Sequence, residues 1–67
     1  MEPMSPAKKE IYTEVFANIA AKAKLNGQDK LSDRAFKVSF NLYEKDYDEK
    51  DVIKVVEKFK EELARGY

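Results

Sequence analysis

The side chains of this sequence that could carry out chemistry are carboxylates, lysines, arginines and hydroxyls, because histidine and cysteine are both absent. This composition excludes disulfide bonds, cysteine-ligated metals and nucleophilic catalysis that relies on cysteine or histidine. The only two glycines lie too far apart to form a phosphate-binding loop.

The densest group of carboxylates is the stretch 44–51, which reads EKDYDEKD. Asp46, Asp48 and Glu57 match positions 1, 3 and 12 of an EF-hand calcium loop. However, Lys50 occupies position 5, where an oxygen ligand is required, and Asp51 replaces the glycine of position 6. We therefore interpret the stretch as a solvated turn with a helix cap, and we expect no metal and no cofactor.

Neighbouring carboxylates such as Glu61 and Glu62 could in principle act as a general acid and a general base. They fall on an expected solvent face, and nothing in the pattern predicts the burial that would raise a carboxylate pKa. We predict that the protein is not an enzyme and has no small-molecule substrate.

Positive charge is concentrated near the middle of the chain, although the formal net charge of the whole chain is zero. Residues 1–45 carry a net charge of +2 and residues 46–67 carry −2. The basic cluster comprises Lys22, Lys24, Lys30, Arg34 and Lys37. Such a cluster could contact phosphates, so a nucleic-acid-binding regulator of the helix-turn-helix kind is our alternative hypothesis. We favour a solvated rim that complements the acidic second part of the chain.

Apolar side chains are abundant for such a short chain, with four phenylalanines and four tyrosines. We expect the four phenylalanines, Phe16, Phe36, Phe40 and Phe59, to form the core, with Tyr12 and Tyr43 at its edge. The last helix carries an apolar arc that is wider than one contact needs, and an exposed apolar patch usually marks a protein interface.

These observations predict a small, non-enzymatic helical interaction module. We expect it to bind a partner protein, or a second copy as a homodimer, through the apolar arc of the last helix with aromatic side chains of the second. The expected interface residues are Ile53, Val55, Lys60 and Tyr67.

Two of the elements that must position these residues have clear start and stop signals. A helix over residues 6–25 begins with Ser5 as N-cap and Pro6 in the first position, and Asn26-Gly27 ends it. A helix over residues 49–65 begins after Asp48 and ends at Gly66.

The middle element is ambiguous, because apolar and polar residues alternate over 36–43 as in a strand. We predict a helix over 33–44, since Ser32 is a suitable N-cap and Leu31 can pack onto Phe36 from outside the helix. A single strand would find a partner only across a dimer, and that alternative stays open.

The predicted fold is an all-α three-helix bundle with a short middle helix, in one domain of residues 6–67 after a flexible N-terminus of residues 1–5. Residues 26–31 are predicted to form the internal linker, which joins the first helix to the second. The sequence has no apolar run long enough to span a membrane and no apolar signal segment, so we expect a cytoplasmic protein with no membrane contact.

Overall fold

A computed structural model describes residues 4–66, which form three helices: α1 (Pro6–Leu25), α2 (Asp29–Glu44) and α3 (Glu49–Arg65). The predicted all-α three-helix bundle is confirmed, as are the predicted bounds of α1 and α3, but the middle helix, with 16 residues, is nearly as long as α3, with 17. Residues 36–43 are helical. Of the segment expected to be flexible, residues 1–3 lie outside the described residues, whereas Met4 is buried against the core.

The ends of α1 and α3 are formed by the predicted capping residues. The Ser5 hydroxyl accepts a hydrogen bond from the backbone N–H of Lys8 at 3.3 Å. The Asp48 carboxylate accepts one from the backbone N–H of Lys50 at 3.0 Å. Gly27 and Gly66 follow the two helices with φ angles of +76° and +79°, a conformation that side chains disfavour.

The predicted start of α2 at residue 33 is wrong, because the helix begins at Asp29. Ser32 is not an N-cap: it is buried within α2, and its hydroxyl donates a hydrogen bond to the carbonyl of Ala20 at 2.9 Å. Leu31 is likewise a buried residue of the helix itself. The linker therefore consists of Asn26–Gln28 alone, and this short turn sets α1 and α2 side by side.

Helices α1 and α2 form a closely packed antiparallel pair, because small residues occupy most of their shared face. Its small buried members are Ala20, Ala23, Ser32, Ala35 and Ser39. The Ser39 hydroxyl donates a hydrogen bond to the carbonyl of Thr13 at 3.0 Å. This bond repeats the Ser32 bond seven residues further along the helix pair. Small side chains allow two helix backbones to approach each other, and both serine hydroxyls find hydrogen-bond acceptors within this contact.

The aromatic side chains divide between the core and the surface, so the predicted core is half wrong. The rings of Phe16 and Phe59 are buried and meet edge to face, with centroids 5.7 Å apart. Phe36 and Phe40 are instead 55% and 63% exposed. The small residues of α2 face α1, and the two phenylalanines fall outside that contact. Tyr43, expected at the edge of the core, is 79% exposed.

Candidate functional site

Helix α3 is fastened to the α1–α2 pair by polar contacts near both of its ends. In its first turn the Glu49 carboxylate accepts hydrogen bonds from Lys8 Nζ at 3.0 Å and from the Tyr12 hydroxyl at 2.9 Å. Towards its other end, Glu62 bonds to Arg34 of α2. Between these attachments α3 contributes its buried side chains to the core.

A groove runs between α2 and α3, with a volume of about 330 Å³. Most of its lining is apolar, and its residues are Val38, Asn41, Leu42, Tyr47, Asp51, Val52 and Val55. Small residues allow α2 to pack closely on α1, whereas α2 and α3 pack much less closely on each other, and the groove lies between them. We call this site the α2–α3 groove.

The chemistry of the α2–α3 groove suits an apolar group with a cation or hydrogen-bond donor beside it. Val38 and Val55 are half-buried, so their apolar surface is still available to a second molecule. Asp51 is exposed at the rim, and no cation of residues 4–66 lies within ion-pair distance of its carboxylate. A basic group placed there would gain a charge partner as the apolar group is buried.

Two of the five residues of the basic cluster form ion pairs within the protein. The Arg34 guanidinium bonds to both carboxylate oxygens of Glu62, at 2.7 and 3.0 Å, and lies 5.0 Å from the ring centroid of Phe59. Lys24 forms an ion pair with Asp29 at 3.3 Å. The other three residues of the cluster, Lys22, Lys30 and Lys37, are exposed.

Two carboxylates have a pKa shifted by these contacts, and both shifts are downward. Hydrogen bonds from Lys8 and Tyr12 lower the pKa of Glu49. The Arg34 guanidinium does the same to the pKa of Glu62. A general acid at neutral pH needs the opposite shift, so both groups serve as structural anions.

The three predicted interface residues that the structure describes do not all lie on one side of α3. Val55 lines the α2–α3 groove. Ile53 lies on another side of α3, because two residues along a helix correspond to a rotation of about 200°. Lys60 lies on the same side of α3 as Ile53, seven residues further along. Glu49, which contacts α1, is on this side as well. Tyr67 lies outside the described residues.

The aromatic side chains of α2, which were expected to contribute to the interface, form an exposed row on the helix surface. Phe36, Phe40 and Tyr43 recur at spacings of four and three, so they form one line on the helix surface, which we call the aromatic stripe. A hollow of about 440 Å³ lies beside Tyr43 and is lined by Pro6, Lys9, Glu10, Thr13, Glu14 and Tyr43. The sequence contains a signal for this stripe. Residues 31, 35, 39 and 42 form a second row with the same spacing and smaller side chains, and this row could face the neighbouring helix in place of the aromatic one.

The acidic stretch 44–51 serves the structure of the turn before α3. Asp46 forms an ion pair with Lys9 at 2.8 Å, and Asp48 caps α3. Within residues 4–66, no three acidic side chains come together in a way that could hold a metal ion. None of the three helices described here has the length and apolar character needed to cross a membrane.

Comparison with known protein families, characterised proteins and solved structures finds no match to this chain.

Proposed function

We propose that the protein is a non-enzymatic interaction module that binds another protein in the α2–α3 groove. The observation that carries this proposal is the groove itself, an apolar cleft between two helices with one exposed carboxylate at its rim. The expected occupant is a peptide segment or helix of the partner that presents a large apolar side chain next to a lysine or arginine.

Charge and size both support this occupant. The exposed Asp51 carboxylate attracts a basic neighbour, while the half-buried Val38 and Val55 offer apolar surface to the side chain beside it. At about 330 Å³ the groove is at the lower limit of small-molecule sites, and few polar groups converge on it to orient a substrate. Helix-in-groove recognition requires only such apolar anchors with a charged flank.

The absence of enzymatic activity belongs to the same proposal. The two carboxylates with a shifted pKa, Glu49 and Glu62, are held as anions by cationic or hydroxyl partners. The two-bond ion pair of Arg34 with Glu62 likewise favours a protein partner over nucleic acid, because it engages one cation of the basic cluster within the bundle. The proposal includes a cytoplasmic location, which cell fractionation tests directly.

Selection from a library of displayed random peptides tests the groove even while the natural partner is unidentified. We expect enriched peptides to combine a large apolar residue with a nearby lysine or arginine. Their binding should weaken about tenfold or more with Val55→Glu, since a buried anchor contributes at least this much. The matched control Ala64→Glu adds the same charge at an exposed position of α3 and should leave binding unchanged.

Asp51→Asn separates the charge contribution from apolar burial, and it should weaken the basic peptides while sparing uncharged ones. No enrichment, or enriched peptides that bind Val55→Glu as well as the unmodified protein, would contradict the proposal. Chemical-shift changes that are confined to amides outside the groove on peptide addition would contradict it as well.

A further inference from the structure

We propose that the aromatic stripe of α2 is a self-association surface, through which two copies of this chain pair antiparallel about a two-fold axis at Phe40. This surface is separate from the α2–α3 groove, because Val38 and Asn41 line the groove from another side of α2. The inference therefore goes beyond the proposed function and does not rest on it.

The exposed area of the stripe is sufficient for a weak dimer. Phe36, Phe40 and Tyr43 are 55%, 63% and 79% exposed. A large aromatic side chain offers 150–250 Å² for burial, so the three together expose roughly 400 Å² in each copy. Two copies would bury about 800 Å² from these residues alone, and the flanking side chains bring the total towards the lower limit of specific interfaces. We expect micromolar affinity or weaker.

The charges that flank the stripe complement themselves under this symmetry. Lys37 lies three residues before Phe40 and Glu44 four residues after it, so both lie close to the stripe on the helix surface. An antiparallel two-fold arrangement about Phe40 sets each Lys37 opposite Glu44 of the second copy. Neither residue has an ion-pair partner within residues 4–66, and the zero net charge of the chain avoids repulsion between copies.

The hollow beside Tyr43 provides space for a side chain of the second copy. The same two-fold arrangement brings Phe36 of that copy to the Tyr43 end of the stripe. Lys9, Glu10 and Glu14 also line the hollow, so its rim carries charges of both signs. Apolar surface, open space and charge therefore all match a second copy.

Sedimentation equilibrium over a range of protein concentrations tests the surface. We expect a reversible monomer–dimer equilibrium whose Kd increases at least about tenfold with Phe40→Ser. Leu25→Ser is the matched control, because Leu25 is 87% exposed at another place and its loss should leave the Kd unchanged. A protein that stays monomeric at about 1 mM, or a dimer that is insensitive to Phe40→Ser, would overturn the inference.

A charge exchange tests the antiparallel arrangement. Lys37→Glu and Glu44→Lys should each weaken the homodimer about tenfold, because each variant faces like charges at both contacts. An equal mixture of the two variants should recover the original affinity, since both contacts then join opposite charges. Failure of the mixture to recover it would overturn the arrangement. Circular dichroism verifies that the variants fold, and unchanged peptide binding by Phe40→Ser separates this surface from the groove.

Discussion

Arg34 and Glu62 form a two-bond ion pair that joins the early part of α2 to the last turns of α3, with nitrogen–oxygen distances of 2.7 and 3.0 Å. The guanidinium also lies over the buried ring of Phe59. This paired geometry is specific to arginine, and it gives a residue from the basic cluster a structural role.

Replacing Arg34 with alanine should lower the free energy of unfolding by about 1–2 kcal/mol, because the variant loses both the ion pair and the contact with Phe59. Lys30→Ala, an exposed change on the same helix, should stay within about 0.5 kcal/mol of the unmodified protein. Urea unfolding measures both values. In a double-mutant cycle, Arg34→Ala and Glu62→Gln should be strongly non-additive, and simple additivity would show that the pair does not couple.

Acid should destabilise the fold through Glu49 and Glu62. Their pKa values are lowered from the ordinary 4.5 in the folded state, so the unfolded chain binds protons first as the pH falls. The stability that these carboxylates contribute is complete well above pH 4.5, and it is lost as the pH decreases through their folded pKa values. Urea unfolding from about pH 6 to about pH 3 should show this loss, and the loss should be smaller in Glu62→Gln. Glu57→Gln is the matched control for the substitution itself, because Glu57 is exposed on α3 and forms no ion pair within residues 4–66.

Enlarging the contact between α1 and α2 should be costly. Ala20 is fully buried there, so Ala20→Leu should cost about 1–3 kcal/mol by forcing the helices apart. Ala21 is its exposed neighbour on α1, and Ala21→Leu should change the stability by about 0.5 kcal/mol or less. Thermal unfolding of the two variants compares them directly, and equal melting temperatures would contradict the close helix contact.

The turn after α1 depends on the positive φ angle of Gly27. A side chain at this position would meet no atom within 4 Å, so only the backbone conformation opposes substitution. Gly27→Ala should cost about 1–2 kcal/mol. A D-alanine introduced there by chemical synthesis should instead be neutral or stabilise by up to about 1 kcal/mol, because it favours this conformation in the unfolded chain. Equal effects of the two alanines on the unfolding midpoint would show that the positive φ angle does not cause the loss of stability.

Helix ends with local chemical signals could be predicted from the sequence. Ser5, Asp48 and Gly66 act through bonds or dihedral angles within a few residues, so their effect is visible in the order of the amino acids. Ser32 resembles these residues in type, yet its hydroxyl bonds to Ala20 on another helix. A serine bonded across helices and a serine that caps its own helix look identical in a single sequence.

The candidate sites depend on distances between helices, which the sequence reveals only indirectly. The interpretation of Phe36 and Phe40 as core residues followed from their size, but the smaller Ala35 and Ser39 face α1 instead. As a result α2 lies closer to α1 than to α3, and the α2–α3 groove lies in the wider space. Val55 was singled out from the sequence as a surface-available residue of α3, whereas the groove around it required the structure.

The looser packing of α3 on the other two helices has a consequence for the order in which the protein opens. Helices α1 and α2 share a continuous contact across a short turn, so they form the more cooperative unit, and α3 should detach first as a partial unfolding event. Amide hydrogens of α3 should then exchange with solvent faster than those of α1 and α2. In this partly open form the α2–α3 groove is absent while the aromatic stripe persists. A ligand of the groove should therefore slow hydrogen exchange in α3.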